Sequence, residues 1–431
     1  MFYNKLFQKV IFPLSEFVNG SSIQKKLEFL NNSQYWSKEK IEKYQNERLK
    51  ILIKHSYENV PYYKKLFDSL KLKPSDIKTK EDLKRLPILT KDIVKKNTED
   101  LRARNYLNKS FAKYTSGSTG QPTKFYQTKE DFSWIWSAHF RAWTWAGFQL
   151  GDKYVKVSLN RRYKLVKRIQ DKFMRCLYIY SYQMSNAQIK NYINKIIRFK
   201  PPFIYGYSSS LNVIANYMQE KGIHYDARAI ITTGDNLLPR FRKTIETQFG
   251  AKIYDGYGCG GEGLNIAAQC SEGTYHINDE LLITELVGKE IVLTSLNNFA
   301  MPLIRYKPND LVIAGNRCKC GKKLAALNRI DGRSHDVIIT PKGDILIIHF
   351  FTALFEYMEG IDKFKIIQND LKGIIVRILK NSKYNTIKDE EKIRKYIRNS
   401  VGSNFNINFE YVNEIPFEKS GKIRFIESRL K

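Results

Sequence analysis

After Tyr114 the chain reads Thr115-Ser116-Gly117-Ser118-Thr119-Gly120-Gln121-Pro122-Thr123-Lys124. Such a stretch has no large apolar side chain to pack in a core. Glycine lets backbone amides turn inward, and converging amides with hydroxyls make a cradle for phosphate oxygens. Lys124 adds a movable positive charge. The segment is not a Walker A loop, which needs Gly-Lys-Ser/Thr at a fixed spacing. By composition alone, a solvated Ser/Thr/Gly surface loop competes with the phosphate reading.

Five further polar clusters follow in order. Thr232-Thr233-Gly234-Asp235 closes the apolar run Ile230-Ile231 as a strand opening into a turn. Strands of parallel sheets present ligand-contacting groups at their C-terminal ends. Asp255-Gly256-Tyr257-Gly258-Cys259-Gly260-Gly261-Glu262 is a second such end, with an aromatic ring and two carboxylates. Asp310 follows Tyr306 and Pro308, and Asp331-Gly332-Arg333-Ser334-His335-Asp336 sits where the composition shifts. Near the end, Pro416-Phe417-Glu418-Lys419-Ser420-Gly421-Lys422 is a tight turn with a lysine at its tip. Singly, each also reads as an ordinary turn, Lys422 as a solvated lysine and Glu262 as an acid favoured by a helix dipole.

Cys270, His276, Cys318 and Cys320 form a Cys-x5-His, Cys-x-Cys set. Three sulfurs and one imidazole suit tetrahedral Zn²⁺, and four closed ligands would make the site structural. The competing reading is three reduced cysteines and an unrelated histidine. His139, in a tryptophan-rich helix, reads as packed, or as part of an acyl pocket.

The elements that must position these groups alternate. Periodicity predicts helices over 38–59, 62–70, 80–86 (with Thr79 as N-cap), 129–145, 186–199, 209–221 and 239–249. Strands are predicted at 111–115, 125–128, 153–158, 202–205, 229–233 and 252–254. The alternation predicts an α/β fold. A large N-terminal domain, residues 1–332, carries mainly parallel sheet flanked by helices and a β-rich part from Tyr275. A small α+β domain, residues 333–431, follows. The length of 431 residues and the 42% hydrophobic content suffice for buried cores and argue against disorder.

The net charge is +30. Lysines are spread along the chain rather than clustered, which disfavours nucleic acid as a partner. Peripheral association with anionic lipid or polymer fits better. No run approaches the roughly 20 apolar residues of a membrane span. The apolar patch Val10-Ile11-Phe12-Pro13-Leu14 is too short for a secretory leader, so a cytoplasmic protein is expected.

Taken together, in this order, the motifs resemble those of the adenylate-forming enzymes. The closest resemblance is to the phenylacetate–coenzyme A ligase branch, including its capsular-polysaccharide relatives. Val60-Pro61-Tyr62-Tyr63, Leu86-Pro87-Ile88-Leu89-Thr90-Lys91-Asp92 and Tyr205-Gly206-Tyr207-Ser208-Ser209-Ser210-Leu211 extend the likeness through nearly the whole chain. The resemblance implies that the small domain is mobile. It implies that Ser116, Gly117, Ser118, Thr119, Gly120 and Lys124 hold the β- and γ-phosphates of ATP. Thr233, Gly234 and Asp235 would line the adenine pocket, where the branch more often has Glu than Asp235. Asp255 and Tyr257 would contact and stack on adenine, and Glu262 would serve Mg²⁺. Asp310 and Arg333 would hold the ribose. His335 and Asp336 would form the hinge, where the branch usually has two acids. Lys422 would serve adenylation, delivered by domain closure. Some members of the branch carry a similar zinc site.

The implied reaction is ATP-dependent, AMP-forming activation of a small carboxylic acid. Transfer to coenzyme A, or to another thiol, amine or sugar hydroxyl, would follow. Trp134, Trp136, Trp143, Tyr205 and Tyr207 line an acyl pocket or form core; aromatic stripes at helical spacing are more often core. A dimer is compatible with the sequence. The competing class is a non-catalytic ATP- or polyanion-binding module that kept the fold, against which intact Lys422 and Glu262 speak.

Overall fold

The computed structural model describes residues 2–115, 123–158, 162, 164–181, 184–333, 337–341, 345–355, 358–416 and 424–430. The chain forms two compact units. One comprises Met1–Leu237, Phe241–Pro308 and Ala314–Arg329, and the other Leu238–Arg240, Asn309–Ile313 and Ile330–Lys431.

In the first unit, five strands pair in parallel in the order Cys176–Tyr180, Tyr154–Ser158, Phe203–Gly206, Ala229–Thr233 and Ile253–Cys259. Their residues are Val-, Ile- and aromatic-rich, as suits strands buried on both faces. The connecting helices Asn186–Phe199 and Ser208–Glu220 turn Ile189, Ile193, Ile196, Leu211 and Ile214 inward. The direction then reverses. Leu264–Gln269 pairs antiparallel with Ile253–Cys259, with an irregularity between Tyr257 and Gly258. Tyr275–Ile277 and Ala326–Arg333 continue antiparallel. The hairpin Leu282–Val287 with Glu290–Ser295 belongs to the same sheet and completes the β-rich part.

The helix Lys129–Trp145 opens with a capping box, in which Thr128 and Asp131 satisfy each other's backbone amides. Its Arg141 is fully buried. The guanidinium grips both carboxylate oxygens of Glu280 at 2.6 and 3.1 Å and donates to Asn278 at 2.5 Å. Ser33 Oγ donates to the same carboxylate at 2.5 Å. Trp143 and Tyr205 pack at 4.8 Å between ring centroids inside the core, with Phe140, Phe148 and Phe203 around them.

The second unit holds a four-stranded sheet in the order Asn406–Tyr411, Gly373–Lys380, Ile361–Asp370 and Ile426–Ser428. The helix Thr386–Val401 covers it with Ile393, Ile397 and Val401. Gln368 donates to the Ile339 carbonyl at 2.7 Å and accepts from its amide at 2.9 Å, holding the hairpin Val337–Ile339 with Ile345–Ile347. The α/β fold with a parallel-rich sheet is as the sequence predicts.

The expected helix 80–86 is instead a 3₁₀ turn, Asp82–Arg85. Asp82 accepts from the Lys78 and Thr79 amides and from Thr79 Oγ1, so its carboxylate closes a turn ahead of the helix and Thr79 acts as donor rather than cap.

Candidate active site

The glycine loop has a defined stem. Phe111–Tyr114 and Lys124–Gln127 pair antiparallel, with Tyr114 opposite Lys124. Thr115 N donates to the Thr123 carbonyl at 3.0 Å, and Thr123 N donates back to Thr115 Oγ1 at 3.0 Å. Ser116, Gly117, Ser118, Thr119 and Gly120 lie outside the described residues. Lys124 sits at the stem, 3.3 Å from Glu99 Oε1 and over the Tyr126 ring.

The turn after Cys259 lies against this stem. A Cβ at Gly261 would fall 2.7 Å from Thr115 Cα, so only glycine fits there. The next residue, Glu262, is buried and accepts from Tyr306 OH at 3.2 Å. Gly263 has φ +71°, and its bare Cα leaves room for the Gln127 amide, which any side chain would strike. The backbone thus brings the base of the loop and the Glu262 carboxylate to one place.

The adjoining strand ends hold the second group. Thr232 and Asp255 are register partners, and Thr232 Oγ1 donates to Asp255 Oδ1 at 2.5 Å. Tyr275 OH donates to the other oxygen at 2.5 Å. Burial pushes the Asp255 carboxyl up from its ordinary value, opposed by these two donors. Gly234 has φ +85°, and a Cβ there would lie 2.4 Å from the Tyr207 ring. Asp235 is committed to structure. It accepts from the Ser208 amide at 2.8 Å, Ser208 Oγ at 2.7 Å and the Ser209 amide at 3.2 Å, and also from Ser209 Oγ. Its charge therefore sits at the N-terminus of Ser208–Glu220, where the dipole favours an anion.

A cavity of about 10 Å³, room for about one water, lies beneath these strand ends. His139, Trp143, Tyr205, Thr233, Asp255 and Gly256 are among its lining residues. Burial, reinforced by Lys156 and Lys113, pushes the His139 imidazole down to about 4, so it is neutral at pH 7. Asp310 is buried at the start of Asp310–Ala314, in the second unit. Arg333 ends Ala326–Arg333. Lys422, His335 and Asp336 fall outside the described residues. Sequence reasoning missed Tyr275, Tyr306 and Ser208 as partners of the site carboxylates. Each sits in an ordinary β or turn pattern, and only the fold shows what it touches.

The four metal-ligand candidates converge. Cys270 Sγ, His276 Nε2, Cys318 Sγ and Cys320 Sγ all lie within 4.8 Å of one another. Cys270 and Cys318 are 3.6 Å apart and Cys320 is 3.2 Å from His276. Zinc bonds of roughly 2.0–2.3 Å in a tetrahedron span similar separations. Burial holds the His276 imidazole down at about 4, the neutral form a metal ligand needs. The Leu324 backbone opposes that shift. Gly321, φ +86°, supplies the left-handed turn after Cys320.

A family model described as the CapK C-terminal domain matches residues 338–429. Protein CapK of Staphylococcus aureus is 28% identical over 408 residues, covering 90% of this chain and 89% of that protein. A phenylacetate-coenzyme A ligase of Pseudomonas putida is 27% identical over 333 residues, covering 69% and 72%. A crystal structure of 2-hydroxyisobutyryl-CoA ligase, in the postadenylation state with 2-HIB-AMP, superposes with a TM-score of 0.75. That match covers 92% of both chains at 19% identity, a likeness of fold.

Proposed function

Because the chain groups with CapK and the phenylacetate-coenzyme A ligases in the adenylate-forming superfamily, we propose that it is an AMP-forming acid ligase. A substrate carboxylate oxygen attacks the α-phosphorus of ATP, the bond to the β-phosphate oxygen breaks, and pyrophosphate leaves. The thiol of coenzyme A, or another acceptor, then attacks the acyl carbon, the bond to the phosphate oxygen breaks, and AMP leaves. The resemblance to the capsular-polysaccharide relatives makes a sugar hydroxyl or amine of a surface polysaccharide the second choice of acceptor.

One observation carries the reading most: the Thr115 stem of the glycine loop lies against Gly261, next to Glu262. The stem of a loop rich in glycine and hydroxyls, beside a carboxylate, suits a nucleoside triphosphate. Ser116, Gly117, Ser118, Thr119, Gly120 and Lys124 are assigned to the β- and γ-phosphates. Thr233, Gly234, Asp255 and Tyr257 are assigned to adenine, with Asp235 shaping the pocket by fixing the adjoining helix. Asp310 and Arg333 are assigned to the ribose, and Lys422 to the charge that builds on the α-phosphate. Glu262 offers the hard oxygen donor that Mg²⁺ prefers, and the ion would neutralise phosphate charge when bound. We also assign Cys270, His276, Cys318 and Cys320 to a structural zinc.

Pyrophosphate release from Mg-ATP over a panel of aryl, hydroxy and amino acids tests the reading, with and without coenzyme A. Release that requires one acid supports it. ATP binding with no release for any acid, in protein whose Lys422→Ala variant behaves identically, favours the non-catalytic module.

A further inference from the structure

Two neighbouring helical segments turn apolar side chains to solvent. The first is the N-terminal run Phe2–Leu6, Phe7–Ile11 and Phe12–Asn19. Its Phe7 and Phe12 are buried in the core around Trp143, which anchors it. Its other side exposes Phe2, Leu6, Val10 and Leu14, repeating every four residues, then Phe17 and Val18. Phe2 is 82% exposed and Phe17 85%. The second segment is the helix Leu165–Phe173, which has no buried residue. Leu165, Val166, Ile169 and Phe173 form its apolar stripe, all exposed. Tyr3 OH donates to the Phe173 carbonyl at 2.7 Å, and Arg175 lies over the Tyr3 ring, so the segments adjoin. These ten side chains are nearly half of the large hydrophobic residues exposed among the described residues. Scattered exposed leucines are ordinary, whereas a concentration on two adjoining helices marks an interaction face.

The charges beside these stripes share one sign. Lys5, Lys9, Lys164, Lys167, Arg168 and Lys172 are exposed. Among the described residues, none of them forms an ion pair with an acid. The nearby acids are already engaged. Glu16 accepts from the Ile23 and Gln24 amides, Asp152 from Asn4 and the Gln149 amide, and Asp171 pairs with Arg162 at 3.1 Å. A second copy of the chain would set these cations against their own images. An apolar stripe flanked by lysine and arginine is instead complementary to a lipid surface with anionic headgroups. No helix of the described residues is long and apolar enough to cross a membrane, so the contact would be interfacial.

We propose that these two helices form a docking face that seats the protein on a bilayer containing anionic lipid. The apolar stripes enter the headgroup–acyl boundary and the cations stay at the phosphates.

Co-sedimentation of the full chain with vesicles tests this. One set is phosphatidylcholine alone, and the other contains about 30 mol% phosphatidylglycerol. The protein is expected to partition onto the anionic vesicles, and less so as salt rises. Phe2→Ser/Phe17→Ser combined with Leu165→Ser/Ile169→Ser should lower that partition about tenfold or more. Lys164→Gln/Lys167→Gln/Arg168→Gln should remove the preference for anionic vesicles. All substituted side chains are exposed, so the melting temperature should hold. As an independent readout, tryptophan emission of Ile169→Trp should shift to the blue on anionic vesicles. Equal partition of parent and apolar variant, or no partition of the parent at about 100 mM salt, would overturn the proposal. So would a lipid-free dimer that Leu165→Ser/Ile169→Ser dissolves, since a second copy would then cover the face.

Discussion

Gly261 meets Thr115 so closely that a Cβ at Gly261 would stand 2.7 Å from the Thr115 Cα and from its Cγ2. This contact seats the stem of the glycine loop on the turn that presents Glu262. Gly261→Ala must push the two apart. We expect turnover with ATP to fall by at least about tenfold, because sub-ångström misplacement of a positioned group is costly. Stability should fall too, by about 1–3 kcal/mol, because the atoms struck belong to the Thr115 backbone and cannot swing aside. Steady-state kinetics beside a thermal melt would show both losses.

Asp235 fixes the start of the helix Ser208–Glu220 by accepting from two amides and two hydroxyls. Asp235→Ala should cost about 1–2 kcal/mol in urea unfolding, the worth of a good N-terminal cap. Asp235→Asn should keep part of it, losing the charge that the helix end favours.

Arg141 and Glu280 form a buried, bidentate pair. Replacing Glu280 by Gln leaves the guanidinium without its counter-charge, and a loss of about 3–5 kcal/mol is expected. Replacing both, as Arg141→Met/Glu280→Leu, should recover much of that loss. Urea midpoints of the single and double variants provide the check.

Burial pushes the Asp279 carboxyl up to about 7 from 3.8, opposed by the Ala325 amide that donates to it. The folded state therefore holds this proton more tightly than the unfolded state. Stability from this group is fully present below about pH 4 and is lost as pH rises through about 7. Asp279→Asn should remove that loss, so the difference in urea midpoint between parent and variant should change sign or shrink across that window. A difference independent of pH would contradict the assignment.

Zinc assigned to Cys270, His276, Cys318 and Cys320 should appear at one equivalent per chain by elemental analysis. Cys318→Ser should lose it and melt at lower temperature, since a structural metal contributes its binding free energy to folding. Metal-free protein with an unaltered melt would contradict this.

Much of the frame was legible because single faces carried it. In Lys38–Asn59 and Asn186–Phe199 the buried residues recur at helical spacing against a polar remainder, so periodicity alone located them. The N-terminal run was not legible for the opposite reason. Phe7 and Phe12 point inward while Phe2, Leu6 and Val10 point outward, so apolar residues lie on both sides and no face stands out. The site clusters were visible as polar strand ends, yet their inner partners were not. Tyr275 reaches Asp255 only because its strand is two places away in the sheet, a relationship no local pattern encodes. Likewise, Trp143 and Tyr205 proved to be core, as aromatic residues at such spacing usually are.

The most direct test is isotope exchange between labelled pyrophosphate and ATP in the presence of candidate acids, because exchange reports the adenylation step alone. Exchange is expected to depend on one carboxylic acid and to fall by about a hundredfold or more in Lys422→Ala and Glu262→Gln. Exchange that proceeds equally without acid, or that both variants retain at the parent's rate, would contradict the proposed adenylation.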